Sequence, residues 1–250
     1  MFDFHLHLAR LSNPENIADE LNRRGYHYVD VGCEPWEWAK VRDLNRAEVS
    51  CTGKCAEVNR AAYGIHPMIA ENVTEADFAK LREILESDTD AQVGEAGLDR
   101  RFPGYEPGGV QESVFRRQAE LALELGRDLQ IHCVGDYMRV VKVLRKAGFK
   151  TGVAQNNVPR PVFHRFGGDV SAVRAGIELG AIFSLHKDSF RKKSTVAAIP
   201  LIPRDCVRFE TDADETYCKA CAVPTTEIAE ALIKDLGDVQ RLYELAIKGA

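Results

Sequence analysis

The feature that most limits what this chain can fold into is a recurrence. Eight times a short strand-like run gives way to a loop and then to an amphipathic helical stretch. Predicted strands occupy 2–8, 27–33, 58–65, 90–97, 128–133, 161–165, 180–185 and 206–212. Predicted helices fall between and after them, at 14–24, 35–48, 75–87, 110–125, 135–147, 169–179, 193–199 and 225–248. No repeat, low-complexity tract or linker breaks the rhythm, so residues 1–250 read as a single domain. Alternation of this kind builds a parallel sheet covered by helices, an α/β fold. With eight units and no glycine-rich nucleotide fingerprint after the first strand, a single (β/α)8 TIM barrel is expected rather than an open doubly wound sheet.

Composition excludes several classes of protein. Hydrophobic residues make up 45% of the chain, enough to bury a core without disulfide staples. A net charge of −5 gives no overall basic footprint for nucleic acid, although a local site could still be basic. No apolar run reaches bilayer length and no cationic leader opens the chain, so no membrane association and a cytoplasmic location are expected. Seven cysteines, an odd number, fit reduced thiols.

The first strand, Phe2-Asp3-Phe4-His5-Leu6-His7-Leu8, alternates polar with apolar. Strand periodicity puts Asp3, His5 and His7 on one face and Phe2, Phe4, Leu6 and Leu8 on the other. Two imidazoles two residues apart can converge on one cation. In a barrel of this type the chemistry sits at the C-terminal ends of the strands. His66, Glu95, His132, His164 and Asp212 fall at those ends too, where Val, Ile and Leu would serve if packing were the purpose. Imidazole and carboxylate suit Zn²⁺, Mn²⁺ or Fe²⁺, with Mg²⁺ less at home among histidines. Even four of these five histidines, with the two carboxylates, exceed the needs of one ion, and a bridging carboxylate between two ions is the usual solution.

The ordered motifs resemble those of the TatD family of metal-dependent hydrolases, within the amidohydrolase-like barrels. The family's Asp-x-His-x-His corresponds to Asp3-Phe4-His5-Leu6-His7, its Gly-x-His-Pro to Gly64-Ile65-His66-Pro67, and its Gly-Glu-x-Gly-Leu-Asp to Gly94–Asp99. A helix with two glutamines is matched by Gln111 to Gln118, then Ile131-His132, His164-Arg165-Phe166-Gly167 and Glu210-Thr211-Asp212 follow. The resemblance implies two divalent ions (Zn, Mn or Mg), with His5, His7 and Asp212 on one, His132 and His164 on the other, and Glu95 bridging. It further implies a phosphodiesterase or deoxyribonuclease acting on DNA, with Asp212 and Glu95 as catalytic residues and His66 at the substrate phosphate. Asp3 is expected to orient a ligand histidine. The alternative is a metal-dependent amidohydrolase or esterase acting on a small molecule.

The chain departs from the family pattern in its loops. Val134 stands where an arginine is usual, Arg100-Arg101 where an aromatic is usual, and Ala213-Asp214-Glu215 where a small residue, proline and an aromatic are usual. Arg100 and Arg101 are therefore expected to bind substrate in place of the missing cation. The basic run Arg191-Lys192-Lys193, with His186 and Lys187 before it, lies on the active-site side of the barrel and reads either as a nucleic-acid contact or as a solvated helix start. Cys51/Cys55 and Cys218/Cys221 have metal-ligand spacing but fall at opposite ends of the barrel; Cys133 is expected to pack outward and Cys33 to line the pocket.

Overall fold

The computed structural model describes residues 1–46, 59–150, 158–217 and 227–249. Eight strands follow in order: β1 (Phe2–Leu6), β2 (His27–Gly32), β3 (Arg60–Tyr63), β4 (Gln92–Asp99), β5 (Leu129–Val134), β6 (Pro161–Phe163), β7 (Ile182–Leu185) and β8 (Val207–Phe209). Each pairs in parallel with the next, in sequence order. The ring is joined beyond the end of β8, where Asp212 N donates to His5 O at 2.9 Å and His7 N to Ala213 O at 2.8 Å. That closure lies at the C-terminal end of the barrel and fixes Asp212 beside the two histidines of β1.

The helices are α1 (Pro14–Arg23), α2 (Trp38–Arg46), α3 (Glu75–Ser87), α4 (Val110–Leu125), α5 (Tyr137–Ala147), α6 (Val170–Glu178), α7 (Lys193–Ala198) and α8 (Ile228–Lys248). Their starts carry local signals. Pro14 occupies the first turn of α1, Thr74 and Asp77 form a reciprocal capping box on α3, and the Asp136 and Asp169 side chains accept from Met138 N and Ala172 N. Such a cap stabilises its helix by about 1 kcal/mol. Gly126 and Gly148 end α4 and α5 in the left-handed conformation that glycine adopts without a Cβ clash. Val114, Phe115 and Ala122 of α4 and Val140 and Leu144 of α5 pack with Ile131, Phe163 and Phe183 of the sheet in one continuous core.

Three expectations are corrected. First, β4 runs two residues past 97 and carries Asp99 to its end, whereas β8 stops at Phe209 and leaves Glu210–Asp212 in a loop. Second, the strict alternation of the first strand fails, because its register with β2 shifts between Asp3 and Leu6. Leu6 and Leu8 join the main core, Phe2 packs on a separate cluster of Val29, Val31 and Ala62, and the Asp3 carboxylate bonds Tyr26 and Thr211. Third, Asp3 orients no imidazole. Its Oδ1 accepts from His5 N and Thr211 N, and its Oδ2 from Tyr26 OH and Thr211 Oγ1, so it clamps backbone across the β8–β1 closure.

Two glycines permit the approach of β4 to β5. At Gly97, with φ +155°, a Cβ would lie 1.9 Å from His132 O, and at Gly94, with φ +133°, it would lie 2.6 Å from Gln130 O. Any other residue would push apart the strands that carry Glu95 and His132. Cys51, Cys55, Cys218 and Cys221 lie outside the described residues. Among those described, no helix is long and apolar enough to cross a membrane.

Candidate metal centre

Glu95 sits at the middle of the C-terminal face, 3% exposed. Its two oxygens divide the surrounding imidazoles between them. Oε1 faces His132 Nδ1 at 2.5 Å, His164 Nε2 at 2.8 Å and His66 Nε2 at 3.8 Å. Oε2 faces His5 Nε2 at 3.5 Å and His7 Nε2 at 3.7 Å. Asp212, held at φ +50°, adds Oδ1 at 3.4 Å from His7 Nε2 and 4.0 Å from His5 Nε2. Every histidine and carboxylate expected at the strand ends is thus gathered around one carboxylate.

The far nitrogen of each ring says what the near nitrogen can do. His7 Nδ1 is 2.8 Å from Val31 O, and His5 Nδ1 is 3.2 Å from Gln130 Oε1. Both partners only accept, so each neutral ring carries its hydrogen there and turns a lone pair toward Glu95. His132 Nε2 meets Asp99 Oδ2 at 2.9 Å, with the same consequence, whereas His164 Nδ1 lies 3.3 Å from Glu210 Oε1 without a hydrogen bond among the described residues. His5 Nε2, fully buried, has no hydrogen-bond partner among the described residues. An orphaned imidazole nitrogen aimed at a carboxylate cluster is what a cation site looks like without its cation. His66 is wired the other way: its Nδ1 accepts from Met68 N at 3.0 Å, which leaves the hydrogen on Nε2. His66, Glu95 and His132 do bring ligand atoms within 4.8 Å of one another, yet His66 offers a donor rather than a lone pair. Burial pushes it down to about 3, with Glu95 opposing, so the ring is neutral near pH 7.

Burial alone would raise Glu95, but His164 and His132 beside it outweigh that and hold the carboxyl well below the usual range. Asp212 is likewise held low, with His7 and His164 outweighing its burial. His164 is raised well above the ordinary imidazole value, as Glu95 and Glu210 overcome its burial. His7 is raised too, with Cys33, Asp212 and Glu95 overcoming burial. The carboxylates that raise these rings would equally favour a cation on their lone pairs, as expected of a ligand set of this charge.

The supporting residues come from distant parts of the chain. On α4, Gln118 exchanges hydrogen bonds with Ile65 N and O at 2.7 and 3.0 Å, which fixes the chain entering His66. Gln111 does the same to Asp99 N and O at 2.8 and 3.0 Å. The two-glutamine helix therefore sets two of the loops around the centre. Gln130 joins His5 to Gln92 and to Phe4 O inside the barrel. Cys33 lines the centre as expected, its Sγ donating to Glu95 Oε2 at 3.3 Å, and burial pushes the thiol up to about 12. Cys133 packs against the core, as expected.

Arg101 does not face the centre as a free cation. Its guanidinium is bound to Asp99, with Nη2 to Oδ2 at 2.6 Å, behind His132. Arg100 is exposed, and its backbone N bonds Val134 O at 2.9 Å. Asp214 is used in its own turn, accepting from Thr216 N and Oγ1, and Glu215 is exposed. Arg191 pairs with Asp188 at 2.8 Å, and Lys192 and Lys193 are solvated at the start of α7. Sequence reasoning did not single out Asp99, Glu210, Gln130 or Arg165. Asp99, Arg165 and Glu210 stood inside the matched motifs, but nothing in their spacing said that they back or face the ligands.

Eight parallel strands with imidazoles and carboxylates converging at their C-terminal ends define the class: a (β/α)8 barrel with a candidate site for divalent cations. The particular family follows from comparison, since residues 2–235 match the family described as TatD related DNase, and the chain belongs to it. A relative from Bacillus subtilis, the uncharacterized metal-dependent hydrolase YabD, is 27% identical over 96% of this chain and 95% of its own. The 3'-5' ssDNA/RNA exonuclease TatD of Edwardsiella piscicida is 30% identical over 61% of this chain; the match spans 57% of its length, as does that to a Mycobacterium tuberculosis relative. Among solved structures, YJJV, a TatD homologue from Escherichia coli, superposes with a TM-score of 0.70 over 94% of this chain and 95% of its own at 21% identity, which bears on the fold.

Proposed function

We propose that this protein is a divalent-metal-dependent hydrolase of phosphodiesters, with DNA as its substrate class, working through two ions. The division of Glu95 carries the reading. One oxygen faces His5 and His7 while the other faces His132 and His164, the arrangement a bridging carboxylate requires. His5, His7 and Asp212 would hold one ion and His132 and His164 the other. Zn²⁺ or Mn²⁺ suit this imidazole-rich set best, and Mg²⁺ suits it less. Ions held by these residues would supply Lewis-acid activation of a water and neutralisation of charge on a phosphoryl oxygen. Asp212 stands at the edge of the ligand set, 10% exposed, where its carboxylate can take the proton of the attacking water. His66 Nε2–H can donate to a non-bridging oxygen. The name of the Edwardsiella relative supports single-stranded nucleic acid as the polymer.

The test is a screen of metal-reconstituted protein against single-stranded DNA, RNA, and amide and ester panels, with Asp212→Asn alongside. Nucleotide release with Mn²⁺ or Mg²⁺, reduced about 10²-fold or more in the variant, is the expected result. Turnover confined to amides or small esters would replace the phosphodiester reading with the small-molecule one.

A further inference from the structure

Arg165 leads away from the ligand set. It follows His164 directly, adopts the left-handed φ +43°, and gives its backbone N to Glu210 Oε1 at 2.5 Å. A side chain in that region costs about 1–3 kcal/mol and persists only where its surroundings impose it. Here they do. His164 on one side is fixed in the centre. Phe166 on the other is fully buried, its ring 5.0 Å from that of Phe183 and 5.3 Å from that of Tyr137. Gly167 N is tied to Tyr137 OH at 2.8 Å. The turn is pinned at every step, and the one side chain it sends outward is the guanidinium.

That guanidinium emerges at the mouth, 46% exposed, with Nη1 2.7 Å from Asp212 Oδ2 and Nη2 bonded to Asp188. Several cations near the mouth are committed elsewhere, Arg10 to Glu34 and Glu37, Arg101 to Asp99, and Lys187 to Asp235, while Arg100, Lys192 and Lys193 are exposed and not bonded to Glu95 or Asp212. Among the described residues, the cation bonded to an acid of the centre is Arg165. Its fork matches two oxygens of a phosphate, a geometry that lysine does not offer. Asp212 cannot give its full charge both to a bound cation and to Arg165. A cation held by Asp212 would weaken its pair with Arg165 and free Nη1 at the mouth, while Asp188 would still hold the plane of the guanidinium.

We propose that Arg165 is the substrate-anion receptor of this site, a specificity-determining residue that takes the phosphate oxygens of the substrate. This rests on the phosphodiester reading above. The probe is thymidine 5′-monophosphate, titrated calorimetrically into metal-loaded wild type, Arg165→Gln and Arg165→Lys, with the metal content of each measured. Arg165→Gln should keep its ions and bind the nucleotide about ten- to a hundredfold more weakly, the worth of a lost charge-assisted contact. Arg165→Lys should fall between, and thymidine without its phosphate should not distinguish the three. On a phosphodiester substrate the loss should appear mainly in KM. Nucleotide affinity within twofold of wild type in Arg165→Gln, or weaker binding that tracks loss of metal, would overturn the proposal. A wild type that binds the nucleotide through Arg165 yet cleaves no phosphodiester keeps this inference and sinks the function. Cleavage with an indifferent Arg165→Gln does the reverse.

Discussion

Asp99→Asn separates the residues that aim the ligands from those that are the ligands. Asp99 is fully buried at the end of β4 and accepts from His132 Nε2 at 2.9 Å. It also takes the Arg101 guanidinium, at 2.6 Å to Nη2 and 3.0 Å to Nε. Asparagine keeps the shape and loses the charge, and its amide can turn a donor toward His132, which would allow the ring to present the wrong nitrogen to Glu95. The buried contact to His132 is the larger one, about 1.5–3 kcal/mol for a hydrogen bond to a charged group. The Arg101 side chain is 61% exposed, so that pair is worth about 0–1 kcal/mol. Metal affinity in Asp99→Asn should therefore fall about ten- to a hundredfold, read by competition of Zn²⁺ against a chromophoric chelator. Arg101→Gln should change it by no more than about fivefold. If Asp99→Asn held metal as tightly as wild type, or if Arg101→Gln cost as much, the backing of His132 by Asp99 would not be what sets its lone pair.

Other perturbations test the frame and its charge. Asp3→Ala removes the acceptor for His5 N, Thr211 N, Thr211 Oγ1 and Tyr26 OH; with at least one buried donor left unpaired it should cost about 3 kcal/mol. A melting point lowered by about 6–12 °C checks this, and a shift under about 1 °C refutes it. Gly97→Ala should unfold the barrel or cost more than about 3 kcal/mol in urea titration, because its Cβ meets His132 O at 1.9 Å; Gly108→Ala, also at positive φ but in open space, should cost only about 1–2 kcal/mol. Near-equal costs would refute the close-approach argument. The third concerns pH. His7 and His164 are raised above the ordinary value, so their contribution to the stability of the metal-free protein is full below about pH 6.5 and is lost as pH rises through the raised values. Metal displaces those protons, so the gain in melting temperature on adding Zn²⁺ should grow from about pH 6 to about pH 8. A gain that shrinks over that range would contradict the assignment.

The barrel was legible because its signal is local and repeated. Strand runs alternate with helices, and caps such as Thr74 and Asp136 sit where the helices begin. The candidate ligand types were legible for a related reason: a histidine or glutamate at the end of a barrel strand is out of place in an apolar interior, and position alone marks it. The alternation in the first strand was misleading, because a period of two holds only while the register does. The register shifts between Asp3 and Leu6, and the Asp3 carboxylate bonds Tyr26 and Thr211 while His5 and His7 face the centre. No residue in that strand announces the shift. The Thr211 and Tyr26 donors that claim Asp3 come from elsewhere in the chain.

The same distinction explains why Arg101 was placed at the substrate. A cation next to a site motif has two possible employers, an incoming anion or a carboxylate already there, and sequence shows only the first. In the fold, Asp99 lies within reach and takes it. Arg165, inside a matched motif and unremarked, escaped notice because left-handed backbone at a non-glycine residue cannot be read from its neighbours; it follows from His164 and Phe166 being fixed on opposite sides. Ligand identity is thus written at strand ends, whereas ligand direction is written in partners as distant as Gln130 for His5 and Val31 for His7. A ring with the right identity and another partner turns a donor rather than a lone pair toward the centre, as His66 illustrates: Met68 N takes its lone pair on Nδ1. The centre's chemistry is consequently a property of its second nitrogens. Substitutions at their partners should change the metal before any change at the mouth alters the substrate.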